Sequence, residues 1–130
     1  MKFDWSEGAL AKGLRLYEEG EFFTAHEEWE TIWLQLPEPE KTFLQGLIQL
    51  AAGYHHHGRG NRRGTQSLLA AGLAKLSRFP DDHRGIALAE LRAEAEKWAE
   101  ELSGAGDLEA RRPPRIRLAT RASRKRKRGG

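Results

Sequence analysis

A chain of 130 residues, 38% of them apolar, can build one domain around one core while leaving part of its length outside. It contains no cysteine, which excludes disulfides, thiolate nucleophiles and cysteine-based zinc sites. The net charge of +3 is unevenly divided: residues 1–110 carry 12 Lys/Arg against 19 Asp/Glu, a charge of −7, whereas residues 111–130 carry 10 Lys/Arg and no acid, a charge of +10.

Five helical segments are expected in chain order, separated by Gly and Pro. The first spans about Trp5 to Glu19, with Asp4 and Glu7 at capping-box spacing, Leu10, Leu14 and Tyr17 on its apolar face, and Gly20 as its stop. The second runs from Phe22 to Gln35, before Pro37 and Pro39. The third starts near Pro39 and reaches His57, with Leu44, Leu47, Ile48 and Ala51 at the i, i+3, i+4, i+7 positions of an amphipathic helix. Asn61 can cap the fourth helix, which carries Leu68, Leu69, Leu73 and Leu76 and stops by Pro80. Asp81 and Asp82 can cap the fifth, where Leu88, Leu91, Ala95, Trp98 and Leu102 fall as in a bundle seam, available to this bundle or to a second subunit.

No segment alternates as a β-strand does. The fold expected is therefore all-α: a compact bundle of about five helices arranged as helical hairpins, over residues 1–104. A weak echo between Tyr17…Gly20…Ala25 and Tyr54…Gly60…Thr65 fits stacked hairpins. Residues 105–130 read as a basic, disordered tail. No apolar stretch approaches the roughly 20 residues that span a bilayer, and Met1–Trp5 lacks a secretion signal's apolar run. A cytoplasmic protein without membrane contact is expected.

The unusual segment is His26-Glu27-Glu28-Trp29-Glu30. At about 100° per residue, Phe22, His26, Trp29 and Trp33 form one stripe of the second helix, with Glu30 one turn beyond His26. Phe23, Glu27 and Leu34 form the adjoining stripe, and Glu28 points away. His26, Glu30 and Glu27 thus project from an aromatic face expected to be at least half buried, where each carboxylate needs a donor or a metal. Antiparallel packing of helices two and three would bring His55 or His56 toward His26.

Several readings compete for the cluster His26, Glu27, Glu30, Gln45, Gln49, Tyr54, His55 and His56. In the first, His26, Glu30, Gln45, Gln49 and Tyr54 satisfy one another and fix helix register. In the second, His26, Glu30 and His56 (or His55) hold a divalent metal and support a hydrolase or oxidoreductase. The His-Glu-x-x-His motif is incomplete, because position 30 is Glu. In the third, Glu30 or Glu27 acts as an acid or base beside His26, although no nucleophile or triad accompanies it. Binding of an unidentified small polar ligand remains as a fourth. The turn Gly58–Gly64, with three arginines, is read as a tight turn rather than an anion site.

Gly20-Glu21-Phe22-Phe23-Thr24-Ala25-His26-Glu27-Glu28-Trp29-Glu30 and the later run from Phe43 to His56, followed by Gly60-Asn61 and Gly64, resemble the signature of the prokaryotic family catalogued as domain of unknown function 309. The resemblance covers roughly residues 3–76. It implies a helical bundle whose motif residues matter together, and it implies no activity.

The tail, with Arg124, Lys125, Arg126, Lys127 and Arg128 at its heart, has the charge to bind RNA or DNA phosphates without sequence preference, or to fold back on the acidic body. The reading that leads is a non-catalytic interaction or small-ligand-binding module with no cofactor. A metal-dependent enzyme centred on His26 and Glu30, and an accessory nucleic-acid-binding protein, are the alternatives. A homo-oligomer is compatible with all three.

Overall fold

The computed structural model describes residues 3–104 and 112–119. Five helices follow one another: α1 (Gly8–Glu18), α2 (Phe22–Trp33), α3 (Glu40–Gly58), α4 (Arg62–Leu76) and α5 (Leu88–Ser103). Each packs chiefly on its sequence neighbours, so α1/α2 and α3/α4 form hairpins and α5 closes over α4. The all-α bundle is as expected. Among the described residues, no helix is long and apolar enough to cross a membrane.

The central helix is α3, whose Phe43, Leu44, Leu47, Leu50 and Ala51 are fully enclosed. On one side it meets α4 at very close range. A Cβ added to Gly72 would lie 2.9 Å from the Gly46 carbonyl oxygen, so the backbones approach as only glycine permits. On the other side α2 inserts Trp29, fully buried, whose indole lies flat over Gly13 of α1 and whose Nε1 donates to the Leu10 carbonyl at 3.3 Å.

Two expected caps do not form. The Asp4 carboxylate accepts from the Ser6 backbone N–H at 2.8 Å and from its hydroxyl at 2.6 Å, and α1 begins only at Gly8. Asp81 instead takes the Arg92 guanidinium at 2.7 Å, and α5 waits until Leu88 behind a short turn at His83–Gly85. Asn61 does cap α4, accepting from the Gly64 N–H at 2.9 Å. The α5 seam Leu88, Leu91, Ala95, Trp98 and Leu102 is buried within this chain.

The tail expectation needs correction over residues 112–119. They run extended across the bundle, with Pro114 and Ile116 buried. Trp98 Nε1 donates to the Arg112 carbonyl at 3.1 Å and the Tyr17 hydroxyl to the Pro114 carbonyl at 2.5 Å. Backbone bonds from Ala87 N to Arg117 O (2.7 Å) and from Ala119 N to Gly85 O (2.6 Å) complete the strap. Arg115 pairs with Glu18 at 2.9 Å and Arg117 with Glu90 at 3.5 Å. A basic composition misled here because one buried isoleucine and several backbone bonds, rather than overall polarity, decide whether eight residues dock. Arg124, Lys125, Arg126, Lys127 and Arg128 lie outside the described residues.

Candidate functional site: the outward face of α2

The stripe that meets the core is Phe22, Ala25, Trp29, Ile32 and Trp33; it shares Phe22, Trp29 and Trp33 with the expected stripe but is rotated by about 40°, with Ala25 and Ile32 inward in place of His26. Ala25 and Trp29 are fully enclosed, and Phe22 packs edge-on against Tyr17 at 5.1 Å. That rotation carries Glu27 and Glu30 to the surface and leaves His26 at the boundary. The expectation that these carboxylates are half buried is therefore overturned: water solvates them, and neither requires a metal or a buried donor. Large aromatics at positions 22, 29 and 33 settle which face turns inward, and small Ala25 decides the exact angle.

The outward face has its own organisation. Phe23, Glu27, Glu30 and Leu34 stand at helical steps along it, with Phe23 47% and Leu34 68% exposed. His26 Nε2 lies 3.0 Å from Glu30 Oε1, and its Nδ1 lies 3.2 Å from the Phe23 carbonyl. Carbonyl and carboxylate can only accept, so both contacts are hydrogen bonds when both ring nitrogens carry hydrogen. Glu28, on the other flank, meets Lys12 of α1 at 3.1 Å.

Helix α3 adds His55, whose ring lies 4.9 Å from the Phe23 ring, which also rests 5.4 Å from His26. The expected approach of the α3 end to the α2 start is thus observed. Partial desolvation, followed by the nearby His56, Arg59 and His26, holds the His55 imidazole below the ordinary histidine range. His56 turns toward the α4 cap instead, its Nδ1 3.1 Å from Asn61 Nδ2. Among the described residues no three His, Asp or Glu side chains are grouped to hold one ion. The expected set His26, Glu30 and His56 is therefore not assembled: His26 and Glu30 pair, and His56 does not join them.

Gln45, Gln49 and Tyr54 do not join them either. Gln45 is half-buried on α3. The buried Gln49 Oε1 and Tyr54 hydroxyl have no hydrogen-bond partner among the described residues, so the expected mutual network is not formed. Tyr54 sits instead among Tyr17, Phe22 and Trp98, with ring centroids 6.4, 5.6 and 5.2 Å away. Burial pushes the hydroxyls of both Tyr54 and Tyr17 well above the ordinary tyrosine range, and the Glu18 carboxylate adds to the effect at Tyr17.

The buried carboxylate that sequence reasoning missed is Glu40. It lies in the first turn of α3, where the helix dipole favours an anion, and takes His83 Nε2 and Arg84 Nη2 at 3.0 Å each. His83 is wedged between Phe43 and Phe79, at 4.6 and 4.7 Å. Arg84 adopts φ 53°, uncommon without glycine, and its carbonyl accepts from Trp5 Nε1 at 3.0 Å. This network spans residues 5, 40, 83 and 84, and no local spacing signals it. It ties the chain start and the α4–α5 turn to the core.

These elements define an all-α bundle whose motif helix buries its aromatic stripe and displays a second, mixed apolar and acidic stripe. Residues 10–68 match the model of the family described as domain of unknown function (DUF309), the family that the two motifs resemble. A protein of Aquifex aeolicus, described as uncharacterized, is 35% identical over 79 residues, which is 60% of this chain and 24% of that protein. The matched part thus spans about a quarter of that relative's length.

Proposed function

We propose that this chain is a non-catalytic interaction module whose working surface is the outward side of α2. The observation that carries the reading is the division of labour inside one motif. Phe22, Ala25 and Trp29 are spent on the core, while Phe23, Glu27 and Glu30 face outward and His26 lies at the boundary. Phe23, 47% exposed, and Leu34, 68% exposed, lie on one stripe beside two carboxylates and leave apolar surface there for a partner to cover. The similarity to about a quarter of a longer protein also suits a module that works as part of larger chains.

The reading is tested by placing a photoreactive residue at Phe23, at Leu34, or at the exposed Ser67 of α4 in the full chain, in its native host. Covalent protein adducts are expected from positions 23 and 34 and not from 67. Equal yields from all three would overturn the reading.

A second reading is favoured by the strap. Arg115 and Arg117 are committed to Glu18 and Glu90, so docking fixes the chain up to Ala119, immediately before six further Lys/Arg in residues 120–130. That run has the composition of a phosphate-binding tail. Six contacts would give a log–log salt slope of at most about 4 on single-stranded RNA. Truncation after Ala119 should abolish salt-sensitive RNA binding while leaving the fold intact; a full chain that ignores RNA at low salt would remove this reading.

A further inference from the structure

The chemistry of the α2 stripe narrows what can cover it. Its four members fall within an arc of about 60° and extend about 16 Å from Phe23 to Leu34, a footprint about three helical turns long. Phe23 and Leu34 are two of the three large apolar side chains exposed among the described residues. The Phe23 ring is braced by His26 and His55, so it loses little freedom on being covered, as suits an anchor.

Between the two anchors stand Glu27 and Glu30. Glu27 meets no cation among the described residues, and Glu30 has only His26. The surrounding chain reinforces their sign. From Leu16 to Glu40 the sequence contains eight acids and no Lys or Arg. A second copy of this chain is a poor occupant, because two-fold pairing along α2 sets Glu27 and Glu30 against their own symmetry mates. The chain's own residues 120–130 supply cations but no large apolar side chain to meet Phe23 and Leu34.

We infer that the outward face of α2 is a docking site for an amphipathic helix of another protein, with apolar residues at the two ends of its contact face and Lys or Arg between them. This rests on the interaction-module reading and specifies its partner. Helix against helix matches the length of the stripe. The central cations meet Glu27 and Glu30 at a partly covered surface, where such pairs select the partner and its register more than they add affinity.

The test uses the full chain and three labelled peptides, followed by fluorescence anisotropy. One is a helical peptide with leucines at the Phe23–Leu34 spacing and lysines at the two positions between. The second has glutamates in place of those lysines. The third is the sequence of residues 120–130. At low salt the lysine peptide should bind at least about tenfold more tightly than the glutamate peptide, with the difference shrinking as the Debye length falls toward about 8 Å at physiological ionic strength. The paired change Phe23→Ser and Leu34→Ser should weaken binding of the lysine peptide at least about tenfold, and Glu27→Lys with Glu30→Lys should reverse the preference, each with unchanged far-ultraviolet circular dichroism. Equal binding of the first two peptides overturns the inference, as does binding of the 120–130 peptide as tight as that of the lysine peptide. Self-association that protects Phe23 and Leu34 overturns it too. If photoadducts form at positions 23 and 34 while the lysine peptide fails to bind, the module stands and this partner class falls.

Discussion

Ile116→Ala measures how much the strap contributes to the bundle. Ile116 is 3% exposed, and its neighbours Arg115 and Arg117 reach across to α1 and α5 while backbone bonds tie residues 117 and 119 to the α4–α5 turn. Truncating a buried isoleucine to alanine costs about 2–5 kcal/mol, and the lower end applies where the chain around the gap can close in. An extended segment on the rim of a bundle is such a place, so about 2 kcal/mol is expected. For a domain of this size that lowers the melting temperature by roughly 8 °C. Urea unfolding followed by tryptophan fluorescence and circular dichroism gives the difference directly, with truncation after Ala119 as the companion measurement. The truncated chain keeps every strap contact described above and should match the full chain within about 0.5 kcal/mol. An Ile116→Ala chain as stable as the parent would mean that residues 112–119 do not dock, and the tail would then start at the end of α5.

Three further outcomes follow from the core. Glu40→Gln breaks a buried ion pair whose Arg84 partner is partly solvated, and should cost about 1–3 kcal/mol, against less than about 0.5 for the exposed Glu30→Gln; equal costs would contradict the assignment of buried and surface carboxylates. The two tyrosines of the chain, Tyr17 and Tyr54, are both held neutral by burial. A folded-state value above the unfolded one means that their contribution is complete below about pH 10 and is lost as pH rises beyond it. Tyrosinate absorbance should therefore rise in one step with the loss of helical dichroism, and a gradual titration near pH 10 with the fold intact would refute this. Gly72→Ala should destabilise the chain by about 1–3 kcal/mol despite a gain of up to about 1 kcal/mol in helix propensity, because the new methyl meets the Gly46 carbonyl, whereas Gly58→Ala, with open space around it, should be neutral or stabilising.

The helices were legible because their signals are local. Gly20 stops α1 with φ +83°, Asn61 caps α4, and the spacing of Leu88, Leu91, Ala95, Trp98 and Leu102 reports a buried seam without knowledge of what covers it. Asp4 and Asp81 do not cap as expected, because a short acidic side chain near a helix start has several partners within reach. Ser6 and Arg92 took them, and a sequence does not rank such competitors. Glu40 was invisible for a stronger reason. Its partners lie 43 and 44 residues away, beyond any periodicity.

The motif on α2 shows how far a helical wheel can be trusted. It correctly grouped Phe23, Glu27 and Leu34 on one stripe and Phe22, Trp29 and Trp33 on another, since angular separation along a helix is fixed by geometry. It could not fix the absolute rotation, because an aromatic counts as apolar wherever it points and Ala25 carries little weight on a hydropathy scale. In the bundle Ala25 faces inward because α2 must come close enough for Trp29 to reach Gly13, and this turns the carboxylates outward. The carboxylates of this helix therefore lie at the surface and not in a buried polar cluster. There a braced aromatic, two carboxylates and a leucine form one outward stripe.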